Sequence, residues 1–220
     1  MSTLAWLTFC GTILKVFEEG QTEPMNHNYH KQMAKILPTL EGKPKLLLHS
    51  CCGPCSTHVL TELRAYFDIT LLYYNPNIQP REEYDLRLEY QRKVLEQMPE
   101  IKILECEYDG ARYANAVVGL EDEPEGGKRC SVCYGIRLGE TARIAAEHGF
   151  DWFCTTLTVS PRQDSIQINA ICRGLEKEYG VRWLPSNFRK NEGYNKSIAL
   201  AEEMGLYRQE YCGCLYSKNT

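Results

Sequence analysis

Seven of the eleven cysteines in this 220-residue chain fall in three tight clusters: Cys51, Cys52 and Cys55 in HSCCGPC, Cys130 and Cys133 in CSVC, and Cys212 and Cys214 in CGC. Thiolates this close in sequence either hold one metal centre or exchange electrons as a disulfide. Core packing gives no reason to cluster them. Roughly 75 and 80 residues separate the clusters, so only a compact fold can bring them together.

Each cluster has its own chemistry. Cys52-Gly-Pro-Cys55 has the form of a redox dithiol at a helix start, where the helix N-terminus lowers a thiolate's pKa. Against simple exchange, Cys51 adjoins it and four more clustered cysteines remain to be explained. Cys130 and Cys133 place two sulfurs on one side of a turn. With Cys51 and Cys52 they make four thiolates, the number for tetrahedral zinc or an iron–sulfur cubane. Adjacent cysteines form a poor zinc knuckle, and a cluster tolerates irregular spacing more easily. A Cys212–Cys214 disulfide would close a small, strained and labile ring, with Gly213 absorbing the backbone distortion. The pair reads as a redox or site element rather than as incidental. Cys10, Cys106, Cys154 and Cys172 read as structural, Cys106 and Cys154 within apolar strands. His49 reads as a satisfied strand histidine.

Two polar loops accompany the sulfurs. Asn75-Pro76-Asn77, Arg81, Tyr84 and Arg87 form one, and Ser160-Pro161-Arg162-Gln163-Asp164 the other, with Asp164 placed to cap a helix. Such residues can hold a nucleoside or phosphate, although caps and turns explain them more cheaply. Arg189-Lys190 and Lys196 could meet phosphates. No Ser–His–Asp set, phosphate-cradling glycine loop or dinucleotide fingerprint is evident.

The elements that must position these residues follow from periodicity. Buried strands are expected at Lys45–Ser50, Asp68–Tyr74, Ile101–Tyr108, Asp151–Val159 and Val181–Leu184. Helices are expected at Ser56–Tyr66, Glu82–Met98, Tyr134–His148, Ile166–Tyr179 and Tyr194–Met204. Alternation with near-continuous apolar strands predicts an α/β fold with a parallel sheet covered on both faces. In such sheets, sites gather at the carboxyl ends of the strands. HSCCGPC, the NPN loop and TVSPRQD all follow strands there.

Composition sets the broader limits. With 43% hydrophobic and 25% charged residues the chain reads as globular, and its length suits one domain. No run approaches the roughly 18 apolar residues of a membrane span. The apolar stretch 4–17 lacks a basic start and ends in acidic residues, which disfavours a secretory signal. Residues 1–40 are expected to be a partly disordered extension, with Met25 an alternative start, and residues 41–220 a single catalytic domain. Clustered cysteines in a chain of this size suggest a cytoplasmic, metal-binding or catalytic protein. A net charge of −4 excludes a generally basic nucleic-acid binder. Residues 160–220 nevertheless hold 9 Lys/Arg against 7 Asp/Glu, so a local basic face remains available.

Five segments in order, LLLHSCCGPCS, YYNPNIQPREEYDLR, RCSVCYGIRL, TTLTVSPRQD and the terminal YCGC, resemble the QueH family of epoxyqueuosine reductases, from about Lys45 to Leu215. The resemblance implies a three-layer α/β/α fold of the HUP type, similar to nucleotide α-hydrolases. It implies reductive removal of the epoxide oxygen of epoxyqueuosine at the wobble position of a tRNA anticodon, without cobalamin. By the same resemblance, Cys51, Cys52, Cys130 and Cys133 would hold a [4Fe–4S] cluster and Cys212 with Cys214 would be a redox-active pair. Cys55 would serve an adjacent mononuclear metal, with iron the expected identity, or proton delivery. ATP use is not implied, since thiolates replace the phosphate-binding loop. Asn75, Asn77, Tyr84, Arg87, Tyr134, Arg137, Arg162 and Asp164 are the candidates to position substrate, with Tyr73, Tyr74 and Tyr84 as stacking partners for the base. The expected partners are that tRNA and an electron donor such as a ferredoxin, a flavodoxin or another reductant, with no membrane. A thiol–disulfide oxidoreductase using Cys52 and Cys55 and a zinc-stabilised RNA-binding module are the competing readings.

Overall fold

The computed structural model describes residues 28–218. Its apolar runs pair as one sheet of five strands: β1 (Lys45–His49), β2 (Asp68–Tyr73), β3 (Lys102–Glu105), β4 (Trp152–Thr155) and β5 (Arg182–Trp183), in the order β3-β2-β1-β4-β5. Every pairing is parallel; His49 faces Leu72 on one side and Thr155 on the other. Leu46, Leu47 and Leu48 of central β1 are all fully buried, which is why this strand reads as a continuous apolar run.

The helices are α1 (Tyr29–Ile36), α2 (Gly53–Leu63), α3 (Arg81–Glu96), α4 (Gly110–Ala116), α5 (Lys128–Glu147), α6 (Ser165–Tyr179) and α7 (Gly193–Glu203). α2 packs against α3 and α7, while α5 packs against α6. Strand order reverses between β1 and β4, so right-handed crossovers put these two groups on opposite faces of the sheet. The result is the expected parallel-sheet α/β fold. Gly53 shows how tightly α2 is seated: a Cβ there would stand 2.7 Å from the Tyr90 carbonyl oxygen of α3. α1 adds Met33, and the turn after it Leu37, to the core. The apolar stretch 4–17 and Met25 lie outside the described residues. No helix among the described residues is long and apolar enough to cross a membrane.

Three boundaries and one added helix bear on the site and differ from the sequence reading. β3 stops at Glu105, because it pairs only with β2 and β2 ends opposite at Tyr73; Cys106 and Tyr108 therefore fall beyond the strand. β4 stops at Thr155, whose hydroxyl accepts from Leu157 N (3.2 Å) and opens a 3-10 turn over Thr156–Val159. α4 was not expected. α5 starts at Lys128 instead of Tyr134, capped from outside by Glu123, whose carboxylate accepts from Lys128 N at 3.0 Å. Cys130 and Cys133 thus lie in the first turns of a helix, not in a loop.

Candidate metal and redox site

The carboxyl ends of β1 and β4, where the strand order reverses, are the place where a doubly wound sheet leaves a crevice. The chain enters α2 there with no side-chain cap, so Cys52 stands at the N-cap and Cys55 in the first turn. The sulfurs of Cys51, Cys52 and Cys55 all lie within 4.8 Å of one another, the only such trio of His, Cys, Asp or Glu ligand atoms among the described residues. The trio is electrically uneven. Hydrogen bonds from Cys51 and Cys55 hold the Cys52 thiol well below its usual range, and Gln209 Nε2 donates to its sulfur at 3.0 Å. The bond with Cys52 pushes Cys51 up to about 11, and bonds with Cys51 and Cys52 hold Cys55 well above its usual range. One thiolate flanked by two protonated thiols is a group ready to exchange protons for a metal ion.

The other four clustered cysteines form a second group. Cys130, Cys133, Cys212 and Cys214 line one small recess of about 10 Å³, together with Asn77, Tyr113, Tyr134, Arg137 and Gln163. This is space for about one water-sized atom. Burial pushes Cys133 up to about 12 and raises Cys130 and Cys212. Gln163 Nε2 donates to the Cys212 sulfur at 3.3 Å, an echo of Gln209 on Cys52. The CSVC turn is held by Arg129, which is 2% exposed and binds the carbonyls of Leu120, Glu121 and Glu123.

An open cavity of about 110 Å³ reaches the trio from outside. Its lining includes Cys51, Cys55 and Arg137, the Leu157 and Ser160–Gln163 segments, Tyr194, Ser197 and Ile198 of α7, and Arg208–Cys212. Three residues, Arg137, Gln163 and Cys212, line both this cavity and the small recess. They are the wall between the two thiol groups.

The polar candidates divide by place. Arg137 and Arg162 line the open cavity; Arg162 also reaches Glu125 (3.3 Å) and the Glu210 carbonyl (3.3 Å). Tyr134 lies on the small recess, its hydroxyl accepting from Asp164 N at 3.4 Å. Asp164 caps α6, accepting from Ile166 N (2.8 Å) and Gln167 N (3.1 Å). Asn75 is buried and donates to the Ser50 carbonyl at 2.8 Å. Asn77 is buried on the recess wall with neither amide atom partnered.

Arg87 is 1% exposed and engaged with the chain itself. Its Nε binds Glu83 (2.7 Å), and its Nη1 and Nη2 bind the carbonyls of Cys212 (3.0 Å) and Tyr211 (3.3 Å). Tyr73 and Tyr74 are buried at 0% and 4%, in the core rather than on a base-stacking surface. Tyr84 is 2% exposed, its ring against Tyr73 and Tyr108 and its hydroxyl on the Cys106 carbonyl. Among the described residues Gln163 and Gln209 carry the only side-chain amide contacts to the clustered sulfurs; Gln163 was read only as part of the Ser160–Asp164 loop and Gln209 not at all, since a lone glutamine in a loop leaves no periodic or spacing signal.

His49 is satisfied within the sheet: Nδ1 pairs with Thr155 Oγ1 (2.8 Å) and Nε2 with the Tyr74 carbonyl (3.2 Å). Burial, reinforced by the Arg137 charge, lowers its pKa from 6.5 to about 3. The unfolded chain therefore takes up a proton between these values that the folded protein refuses, so stability falls as pH falls through that window. His49→Gln is expected to flatten this part of the stability profile, as read by denaturant unfolding at stepped pH. An unchanged slope would contradict a buried neutral imidazole.

With this geometry in place, comparison with known proteins is decisive. Residues 46–220 match the family model described as epoxyqueuosine reductase QueH. The chain belongs to the QueH family. A relative from Streptococcus pyogenes serotype M1 is 42% identical over 192 residues, covering 85% of this chain and 75% of the relative. One from Staphylococcus epidermidis is 39% identical over 200 residues, covering 86% and 84%. One from Thermotoga maritima is 38% identical over 175 residues, covering 78% and 89%. Each carries the name epoxyqueuosine reductase QueH. The matched region contains all three cysteine clusters and the whole wall between the two thiol groups.

Proposed function

We propose that this protein is an epoxyqueuosine reductase. It removes the epoxide oxygen of epoxyqueuosine at the wobble position of a tRNA anticodon, in the cytoplasm, without cobalamin. Family membership carries the reaction class, and the three sulfurs within 4.8 Å of one another carry the metal part. The overall change takes two electrons and two protons: both C–O bonds of the epoxide break, a carbon–carbon double bond forms, and the oxygen leaves as water.

The donor set fits an iron–sulfur centre. Soft thiolates select such clusters, and a fully buried, unpaired guanidinium at Arg137 suits a negatively charged group beside it. The proposed ligands of a [4Fe–4S] cluster are Cys51, Cys52, Cys130 and Cys133. Cys55 serves an adjacent mononuclear metal, with iron expected, or proton delivery. Cys212 and Cys214 are the proposed redox-active pair. When bound, the cluster would supply electrons singly and the neighbouring metal would polarise the departing oxygen.

The protein's own groups do the rest. A cavity of about 110 Å³ is well below the roughly 300 Å³ of a pocket that encloses a drug-sized ligand, so it takes a small ring and leaves the nucleoside at its mouth. Leu157, Pro161 and Ile198 give that cavity apolar walls that exclude water. Cys55 holds a proton at Sγ within the trio, beside Cys51 and Cys52. His49, neutral and doubly hydrogen-bonded, is removed from proton transfer. Arg162 and Arg208 at the mouth, 45% and 41% exposed, offer charge to RNA phosphates, so binding should weaken with salt. A ferredoxin, a flavodoxin or another reductant supplies the electrons.

Anaerobic purification with assay of iron, sulfide and zinc tests this reading. About four irons per chain with equal sulfide, plus up to one further metal, are expected, together with conversion of epoxyqueuosine tRNA to a nucleoside lighter by one oxygen. Zinc alone, or folded protein without metal and without conversion, would overturn it. The second reading, dithiol exchange at Cys52 and Cys55, draws on the depressed thiol of Cys52 beside Cys55. It requires activity on model disulfides that survives loss of the metal.

A further inference from the structure

We infer that Arg137 is the positioning residue that sets how readily the thiol-bound centre accepts an electron, by holding one unpaired positive charge between the two thiol groups. The inference rests on the iron–sulfur reading above and adds a residue that ligates nothing.

Arg137 is 1% exposed. No carboxylate pairs with it among the described residues. Its Nε and Nη2 are buried without a hydrogen-bond partner. A charge at that depth is costly unless something negative sits beside it. The other buried arginines of the site show the contrast. Arg87 is paired with Glu83, and both Arg87 and Arg129 donate to backbone carbonyls.

What surrounds Arg137 is sulfur. It shares the larger cavity with Cys51 and Cys55, and the small recess with Cys130, Cys133 and Cys214; Cys212 borders both. Burial opposes its charge, and Cys133, Cys212 and Cys51, one from the trio and two from the other group, favour it when their sulfurs carry negative charge. Asn77, which lines the same recess, also has both amide atoms unpartnered. A cation without a protein counter-ion, walled by thiols on two sides, is a receptor for negative charge that accumulates on sulfur. Adding one electron makes and breaks no bond at this residue and adds one negative charge to the centre. The fixed guanidinium lowers the free energy of that state, and burial keeps water from screening it.

The test is an anaerobic dithionite titration of the iron-loaded wild-type protein, Arg137→Gln and Arg137→Lys, with melting curves run alongside. Arg137→Gln is expected to shift the reduction equilibrium at least tenfold toward the oxidised form, about 59 mV for a one-electron couple. Arg137→Lys, which keeps the charge, should retain the wild-type equilibrium to within about threefold. An unchanged equilibrium in Arg137→Gln would overturn the inference while leaving the functional reading intact. Turnover reduced with the potential unmoved has the same meaning, since it assigns Arg137 to the substrate's oxygen. A shift in Arg137→Lys as large as in Arg137→Gln would overturn it too, because shape rather than charge would then matter. If Arg137→Gln takes up no iron, Arg137→Lys decides: a tenfold shift overturns the inference, and the wild-type equilibrium supports it. A wild-type protein with no reducible centre would overturn this inference and the functional reading together.

Discussion

Replacing Cys130 by Ala is expected to strip iron from the protein and to lower deoxygenation on the order of 100-fold or more, with the fold intact. Cys130 is partly buried at the start of α5, and its sulfur makes one hydrogen bond, from Gly126 N at 3.2 Å. Losing that contact should cost about 1 kcal/mol of stability. Arg129 on the loop carbonyls and Glu123 at the helix start hold this turn without Cys130. Iron content, melting temperature and turnover, measured on the same sample, separate the three readings. Iron and activity lost with an intact fold support the reductase. Retained disulfide exchange favours the dithiol at Cys52 and Cys55, and a collapse in melting temperature favours a structural zinc.

Arg87→Ala is the second large effect. Arg87 joins the end of the chain to α3: it pairs with Glu83, binds the carbonyls of Tyr211 and Cys212, and lies 5.1 Å from the Tyr211 ring centroid. Tyr207 adds a hydroxyl contact to Glu83 (3.1 Å), and Tyr211 donates to the Gln79 carbonyl (2.8 Å). Gln79 N in turn donates to the Gly213 carbonyl at 2.8 Å. Breaking the buried pair leaves Glu83 without its counter-ion, and a loss of about 3 kcal/mol is expected in denaturant unfolding. The freed 207–217 segment would carry Gln209 off Cys52 and Cys212 off Gln163, so activity should fall together with resistance of that segment to proteolysis. Arg87→Lys should restore little, since one ammonium cannot reproduce a planar fork on two carbonyls and a carboxylate. Full stability in Arg87→Ala would show that the tail docks by other means.

Much of this architecture was legible in the chain. KLLLH and DITLLY announce buried parallel strands because they lack alternation, and β1 to β5 follow in the expected sequence order. What the sequence concealed were pairings across distance. CSVC was read with Cys51 and Cys52 because four thiolates suggest one centre; that CGC stands beside CSVC around one small recess left no trace in the spacing. The early start of α5 was hidden because Gly127 is no side-chain cap and KRCSVC carries no apolar stripe. Arg87 looked like a substrate group because its partners, Tyr211 and Cys212, lie 124 and 125 residues away. Gly213 shows the opposite case: a glycine between two cysteines is visible in sequence. Its φ of +135°, with a Cβ position 3.0 Å from Ile78 and 3.2 Å from Arg87, supplies the reason.

A parallel sheet also has a second edge. The three cysteine clusters gather toward the carboxyl ends of the strands, while Lys45, Asp68, Lys102 and Arg182 are exposed at the amino ends. One strand separates the two rims, about 17 Å for the five residues of β1. That rim is the natural anchorage for a spin label, a fluorophore or a tether to an electrode, because attachment there leaves the cavity mouth facing the solution.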